Sequence, residues 1–311
     1  MASWSACRSL RPSFSAIANG RRTATSRTSS RGLSTLLYAD KGVAIVNKPS
    51  GLVCQLNHQH NSGVDASGGE LQDLLFDVQY HLKLGKDSIP TPVHRLDKST
   101  TGALVLALNK GVARDVSQQL KSRSVDKTYL AIVRGGSKTF PSQTGTISNT
   151  LIIDTEGRVS YPTAEEKTGE FKEKAAVTDW EVLATSPTVP LSLLKLTLHT
   201  GIKHQLRIHM ARTLSAPILG DTLFSASRLP PAITNIVSVP PGYMYLHASQ
   251  LSLFRYAPGG KRLRVSVVAP LPGYFIRLCA KADIPLSKDQ VKGGVWIDGE
   301  RIGNAGYVAD R

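Results

Sequence analysis

Apolar and polar positions alternate along this chain in short bursts rather than long periodic runs. Stretches at 43–47 (VAIVN), 103–108 (ALVLAL), 128–133 (TYLAIV), 177–184, 191–199 (LSLLKLTLH), 244–254 and 262–269 read as strands. Gly, Pro and Asn bound them, as expected where a strand ends in a turn. Two segments have helical spacing instead: Leu71, Leu74, Leu75, Val78 and Leu82, and then Val112, Val116 and Leu120. Asn109 stands where the second helix needs a residue whose side chain accepts from its first free N–H groups. Strands outnumber helices and do not alternate with them regularly, which predicts an α+β fold with a largely antiparallel sheet rather than a doubly wound one.

Two polar stretches, 57–69 (NHQHNSGVDASGG) and the proline-rich 225–242, read as surface insertions, and the Gly- and charge-rich 287–311 reads as an appendage. The longest clean apolar run, GALVLAL at 102–108, is too short to cross a bilayer, so no membrane association is expected. The 311 residues suffice for a core without disulfides, and only Cys54 and Cys279 lie outside the first 39 residues. They form no CxxC pair, and His58 and His60 lack neighbouring carboxylates or thiols, so no metal site is expected.

Charge changes the picture. Lys and Arg number 38 against 23 acids, a net charge of +15 that favours a polyanionic partner. Residues 1–39 hold six arginines and no acid, and without them the remainder still carries +9. The first 35 residues are rich in Arg, Ser, Thr and Ala and have no continuous apolar core, the composition of a mitochondrial transit peptide. Import into mitochondria is therefore expected, with a basic tail that itself contacts RNA as the alternative. The expected organisation is a leader over 1–35, a core domain over 36–286 and the appendage over 287–311.

Three stretches could carry chemistry. VHRLDKSTTG at 93–102 places Asp97 between Arg95 and Lys98 just before an apolar strand, which suits an anionic nucleophile or base. Taken alone, an Asp beside Ser and Thr at a turn more often caps its own backbone. LHTGIKHQLRIHMA at 198–211 gathers Lys203, His204, Arg207 and His209, and a helix over 203–213 would put Lys203 and Arg207 on one face, suited to phosphate. Against this stands a solvated basic face. AIVNKPSGL at 44–52 ends a strand at Lys48 in a tight turn, which could aim the ammonium into a cleft or simply be a turn.

Six motifs in order, NKPSGL at 47–52, HRLDKSTTG at 94–102, KTYLAIVRG at 127–135, TGIKHQLRIHMA at 200–211, PILGDTLF at 217–224 and LHA at 246–248, strongly resemble the RluA-type family of RNA pseudouridine synthases. The resemblance covers roughly 36–275 and implies a central mixed, mostly antiparallel sheet with flanking helices and an RNA-binding cleft. It implies isomerisation of uridine to pseudouridine, a reaction without net redox change that needs no cofactor. Asp97 matches the essential aspartate, Tyr129 the active-site tyrosine that stacks on the base and moves a proton, and Arg207 the arginine that pairs with the aspartate. Arg95 matches the residue that fills the space left by the flipped uridine, with His94 assisting. Lys48 and Lys203 are assigned to backbone phosphates.

Two departures stand out. Ile202 occupies a position where the family commonly has Arg, and Thr101 replaces a usual Ser while keeping the hydroxyl. The expected partner is structured RNA, mitochondrial large-subunit rRNA first and mitochondrial tRNA second, modified by a monomer without metal. A noncatalytic RNA-binding or ribosome-assembly factor is the alternative from another class. A hydrolase reading lacks a second motif-placed carboxylate to activate water.

Overall fold

The computed structural model describes residues 35–54, 66–162, 170–225, 228–257 and 259–309. The leader, apart from its last residue, and His58 and His60 lie outside the described residues, so nothing structural bears on the transit-peptide reading.

The strands join in one branched sheet. β1 (Leu36–Ala39), β2 (Val43–Lys48), β4 (Thr101–Ala107), β10 (Leu246–Tyr256), β5 (Asp126–Arg134), β9 (Leu191–Leu198), β8 (Phe171–Thr185), β6 (Thr144–Asp154) and β7 (Val159–Ser160) lie side by side in that order. The short β3 (Thr91–Pro92) pairs with β4, and β10 also pairs with β11 (Arg262–Val268). Among the described residues only two pairings are parallel, β4 with β10 and β1 with β14 (Tyr307–Val308). The fold is thus α+β on a mixed, mostly antiparallel sheet, as the alternation pattern predicts.

Alternation also sets the two faces of the sheet. Leu104 and Leu106 of β4 join Ala131, Leu194 and Leu196 in one core, covered by Leu71, Leu74, Leu75 and Val78 of α1 (Ala66–His81) and by Leu82 just after it. Ala103 and Val105 point the other way, into a core with Leu251, Leu253, Val265 and Val116 of α2 (Lys110–Lys121). Every residue of β4 is buried, which explains its unbroken apolar run. The Asn109 side chain accepts from Val112 N at 2.9 Å, so α2 begins where the cap predicts.

Two stretches differ from the sequence reading. The described part of 287–311, residues 287–309, extends the sheet. α6 (Lys288–Lys292) leads into β12 (Gly294–Ile297) and β13 (Glu300–Gly303), β12 pairs with β11, and Val295 is fully buried. Their Gly and charged residues serve the turns and outer face, which hid the few apolar positions. In the proline-rich stretch, α4 (Pro231–Thr234) brings Ile233 and Val237 into a third core with Phe275 and Leu278 of α5 (Gly273–Lys281). Prolines set its turns while its apolar residues pack inward.

At one end of the sheet the segment before β4, the start of β5 and the turn after β9 converge. Close backbone approach helps bring them together. Gly102 has φ +111°, and a Cβ there would stand 2.3 Å from Ala248 O on β10. Beside it the Thr101 hydroxyl donates to His247 Nδ1 at 2.8 Å, while His247 Nε2 donates to Ala269 O at 3.2 Å. Burial pushes His247 down to about 4, so it is a neutral structural link in the LHA motif.

A candidate active site in a basic cleft

The convergence forms a cleft of about 670 Å³. Arg95, Lys121, Arg123, Lys127, Lys174, Lys203 and Arg207 line it, against a single carboxylate among the described residues, Asp97. Such a wall attracts polyanions and concentrates their phosphates.

Asp97 lies in the tight turn before β4, closed by Thr100 N donating to Asp97 O at 3.0 Å. Its carboxylate is largely sheltered and accepts from Arg207 Nη1 at 3.4 Å, with His204 Nε2 3.8 Å from the other oxygen. The turn is riveted from below by Lys48. Its ammonium donates to Pro49 O at 2.8 Å, Leu52 O at 2.9 Å and Lys98 O at 3.0 Å, and Gly51 N donates to the same Lys98 carbonyl. Lys48 is fully buried, so it cannot meet a phosphate, and the expectation that it binds RNA is corrected. An ammonium with three protein carbonyls is already saturated. Burial pushes it down to about 8, opposed by the charges of Cys54 and Asp97.

His94 is also a link rather than a free RNA ligand. Its Nε2 accepts from Val105 N at 3.0 Å, which leaves the proton on Nδ1 and ties the segment before Asp97 to β4. Burial, then the charge of Lys127, pushes it down to about 4, so it carries no charge to offer a phosphate. Arg95, next in the chain, is exposed at the cleft.

Tyr129 projects from β5 on the cleft side and is nearly buried. Burial first, then the Asp97 charge, holds its phenol protonated well above the ordinary tyrosine range. A phenol in that state donates a hydrogen bond and can pass a proton, while its ring offers a stacking face.

Arg207 is held on three sides. Its Nε and Nη2 donate to the two oxygens of Asp221 at 2.8 Å each, and the Phe224 ring lies 5.3 Å from its Cζ. Burial opposes the guanidinium charge, but the bonds and field of Asp221, with Asp97 adding, raise its pKa. Asp221 is itself buried, and burial there is outweighed by Arg207 and by the N–H groups of Phe224 and Leu223, which lower its pKa. The bidentate clamp leaves only Nη1 for Asp97 and fixes its direction. Asp221 lies in the PILGDTLF motif, yet sequence reasoning passed over it. Nothing in spacing distinguishes a buried clamp from a turn-capping aspartate. Its oxygens are fully committed, so it is no second catalytic carboxylate.

A helix spanning all of 203–213 is not what forms. His204 is left-handed at φ 60°, α3 runs Gln205–Ile208, and a π turn follows over His209–Thr213. Lys203 thus sits before the helix, exposed in the cleft, with its ammonium 3.4 Å from Gly157 O. Gln205 sets the entry: it accepts from Thr200 Oγ1 and Ile202 N and donates to Val177 O and Thr178 Oγ1. Ile202, where the family pattern has Arg, packs against an apolar cluster of Leu151, Val159, Ala176 and Ile208. Its side chain therefore joins the β6–β8 hairpin to the turn after β9. Among the described residues no group of three His, Cys, Asp or Glu could hold a metal, and no helix is long and apolar enough to cross a membrane.

Known proteins match this arrangement. A family model described as RNA pseudouridylate synthase matches residues 42–212. An uncharacterized RNA pseudouridine synthase of Aquifex aeolicus is 31% identical over 205 residues, 65% of this chain and 60% of that protein, so the chain spans under two thirds of its length. The tRNA pseudouridine synthase C of Pasteurella multocida is 33% identical over 236 residues, covering 70% of this chain and 84% of the relative. Among solved structures, human RNA Pseudouridylate Synthase Domain Containing 4 superposes with TM-score 0.61 at 26% identity, covering 83% of this chain and 96% of the other. With the matched segment running from just before β2 through the π turn, and so enclosing Asp97, Tyr129 and Arg207, the chain belongs to the RluA-type family of RNA pseudouridine synthases.

Proposed function

We propose that this chain converts uridine to pseudouridine in structured RNA, in mitochondria, with large-subunit rRNA as first substrate and tRNA as second. The observation that carries the reading is the joining of Asp97, Arg207 and Tyr129 at the floor of a cleft whose other charges are all cationic. The mitochondrial part rests on the Arg-rich, acid-free leader alone.

The reaction breaks the N1–C1′ bond, turns the uracil within the pocket and forms a C5–C1′ bond. The proton on C5 leaves and N1 gains one, so atoms and electrons balance without an oxidant. Asp97 either attacks C1′ or removes the C2′ proton, and both roles need the anion aimed by Arg207. Tyr129, protonated and beside Asp97, stacks on the base and passes the proton in the closing step. Extruding the uridine loses stacking energy, and the exposed Arg95 is placed to fill the vacated space.

Pseudouridine mapping of total and mitochondrial RNA from cells with and without the protein tests substrate and compartment together. Loss of a pseudouridine confined to mitochondrial RNA is the expected result. Loss confined to cytosolic RNA overturns the compartment, and an unchanged map overturns the activity.

A further inference from the structure

The cations around the cleft differ in what they face. Arg207 is paired with Asp221 and Asp97, and Lys203 reaches the Gly157 carbonyl. The side chains of Arg95, Lys121, Arg123, Lys127 and Lys174, which also line the cleft, make no hydrogen bond or ion pair among the described residues, and of these five Lys127 is the one that is not exposed. Arg123 is exposed, whereas Lys127 is half-buried. Burial and then the charge of Arg123 lower the Lys127 pKa. Its charge in turn depresses neighbouring His94. Opposite the ammonium stands Gly201, where even a Cβ would be 3.8 Å from Nζ, so no side chain covers it.

A partly desolvated ammonium beside a second cation, with no counter-charge, is an unfavourable arrangement until an anion arrives. Position identifies the anion. Lys127 and Tyr129 are two apart on β5 and share its cleft face, about 6.6 Å along the strand. A uridine stacked on Tyr129 carries its own 5′ and 3′ phosphates within that reach.

We propose that Lys127, with Arg123 beside it, forms the subsite for one of the two phosphodiesters flanking the extruded uridine. This rests on reading the cleft as a pseudouridine synthase site, and the test keeps the two apart. The subsite holds the nucleotide by its backbone, so it acts on binding and register rather than on bond breaking.

The probe is a synthetic RNA stem-loop with one uridine in its loop, made with an uncharged methylphosphonate at either the 5′ or the 3′ linkage of that uridine. Affinity is measured for the full chain and for Lys127→Met and Lys127→Arg, with tritium release from the 5-tritiated uridine followed in parallel. Lys127→Met should weaken binding about tenfold and flatten the logarithmic salt slope by about 1. One neutralised linkage should weaken the unaltered protein by a similar factor and leave Lys127→Met unaffected, while Lys127→Arg retains the sensitivity. Melting temperature should not fall in Lys127→Met, because no protein partner is lost. If neither linkage couples to Lys127, or if melting falls with affinity, the subsite is overturned. Coupling without tritium release from any RNA would keep the subsite and overturn the catalytic reading; release without coupling does the reverse.

Discussion

Replacing Asp221 by Asn keeps the side chain's shape and removes its charge, which isolates what the clamp on Arg207 does. Two bonds of 2.8 Å join the carboxylate to Arg207, and both groups are sheltered, Asp221 almost completely. Leaving a buried guanidinium without its counter-charge destabilises by about 3 kcal/mol. Against a typical domain stability of about 5–15 kcal/mol the variant still folds, so both stability and activity are measurable. The pH dependence follows from the lowered Asp221 pKa. A carboxyl lower in the folded than in the unfolded state contributes stability above about pH 3.9 and loses it as pH falls through the folded value. The gap between parent and variant should therefore be full at pH 7 and shrink in acid, by at most about 1.4 kcal/mol per pH unit for one proton. Activity should fall further than stability explains, because an Arg207 free to turn no longer aims Asp97. A displacement of about 1 Å corresponds to roughly a hundredfold in rate. Urea unfolding at several pH values, with single-turnover tritium release at saturating protein, reads both. A stability change under about 0.5 kcal/mol, or a rate equal to the parent's, would refute the clamp.

Three further outcomes follow from the same geometry. Lys48→Met removes one donor from each of three carbonyls, of which Lys98 O keeps Gly51 N, and should destabilise by about 2 kcal/mol, read as a lower urea midpoint; lost RNA affinity at unchanged stability would restore Lys48 as a phosphate ligand. Arg95→Ala should be partly rescued by RNA whose target uridine is already unstacked, and Arg207→Ala should not, because one acts at extrusion and the other on Asp97; equal rescue in single-turnover rates would refute the division. RNA affinity should fall steeply between roughly 50 and 200 mM salt, since a cation-lined cleft releases counterions, and a flat titration would point away from RNA.

What could be read from sequence follows from which physics is local. The Asn109 cap, the leucine spacing of α1 and the buried run of β4 are set by near neighbours, and the structure has them where the pattern predicts. β6 and the front of β8 escaped the strand reading, because TGTISNT and FKEKA belong to a largely exposed hairpin with little apolar alternation. At the site, ordered motifs identified Asp97, Tyr129 and Arg207, which do meet in the cleft. Residue chemistry misassigned Lys48, since a lysine's type cannot reveal that three carbonyls surround it. Asp221 and Lys127 went unassigned for a related reason: each matters through partners, or a lack of them, that only tertiary packing defines.

The central claim is that this chain makes pseudouridine and that Asp97 is the group without which it cannot. Among the described residues the Asp97 carboxylate has only a 3.4 Å bond to Arg207 and a 3.8 Å approach to His204, so Asp97→Asn should change stability by less than about 1 kcal/mol and leave RNA affinity nearly intact. Tritium release from RNA bearing 5-tritiated uridine, measured for the purified parent and for Asp97→Asn at equal RNA occupancy, tests this most directly. The account predicts release by the parent and none above background by the variant. Release by the variant, or none by the parent on RNA from any compartment, would contradict it.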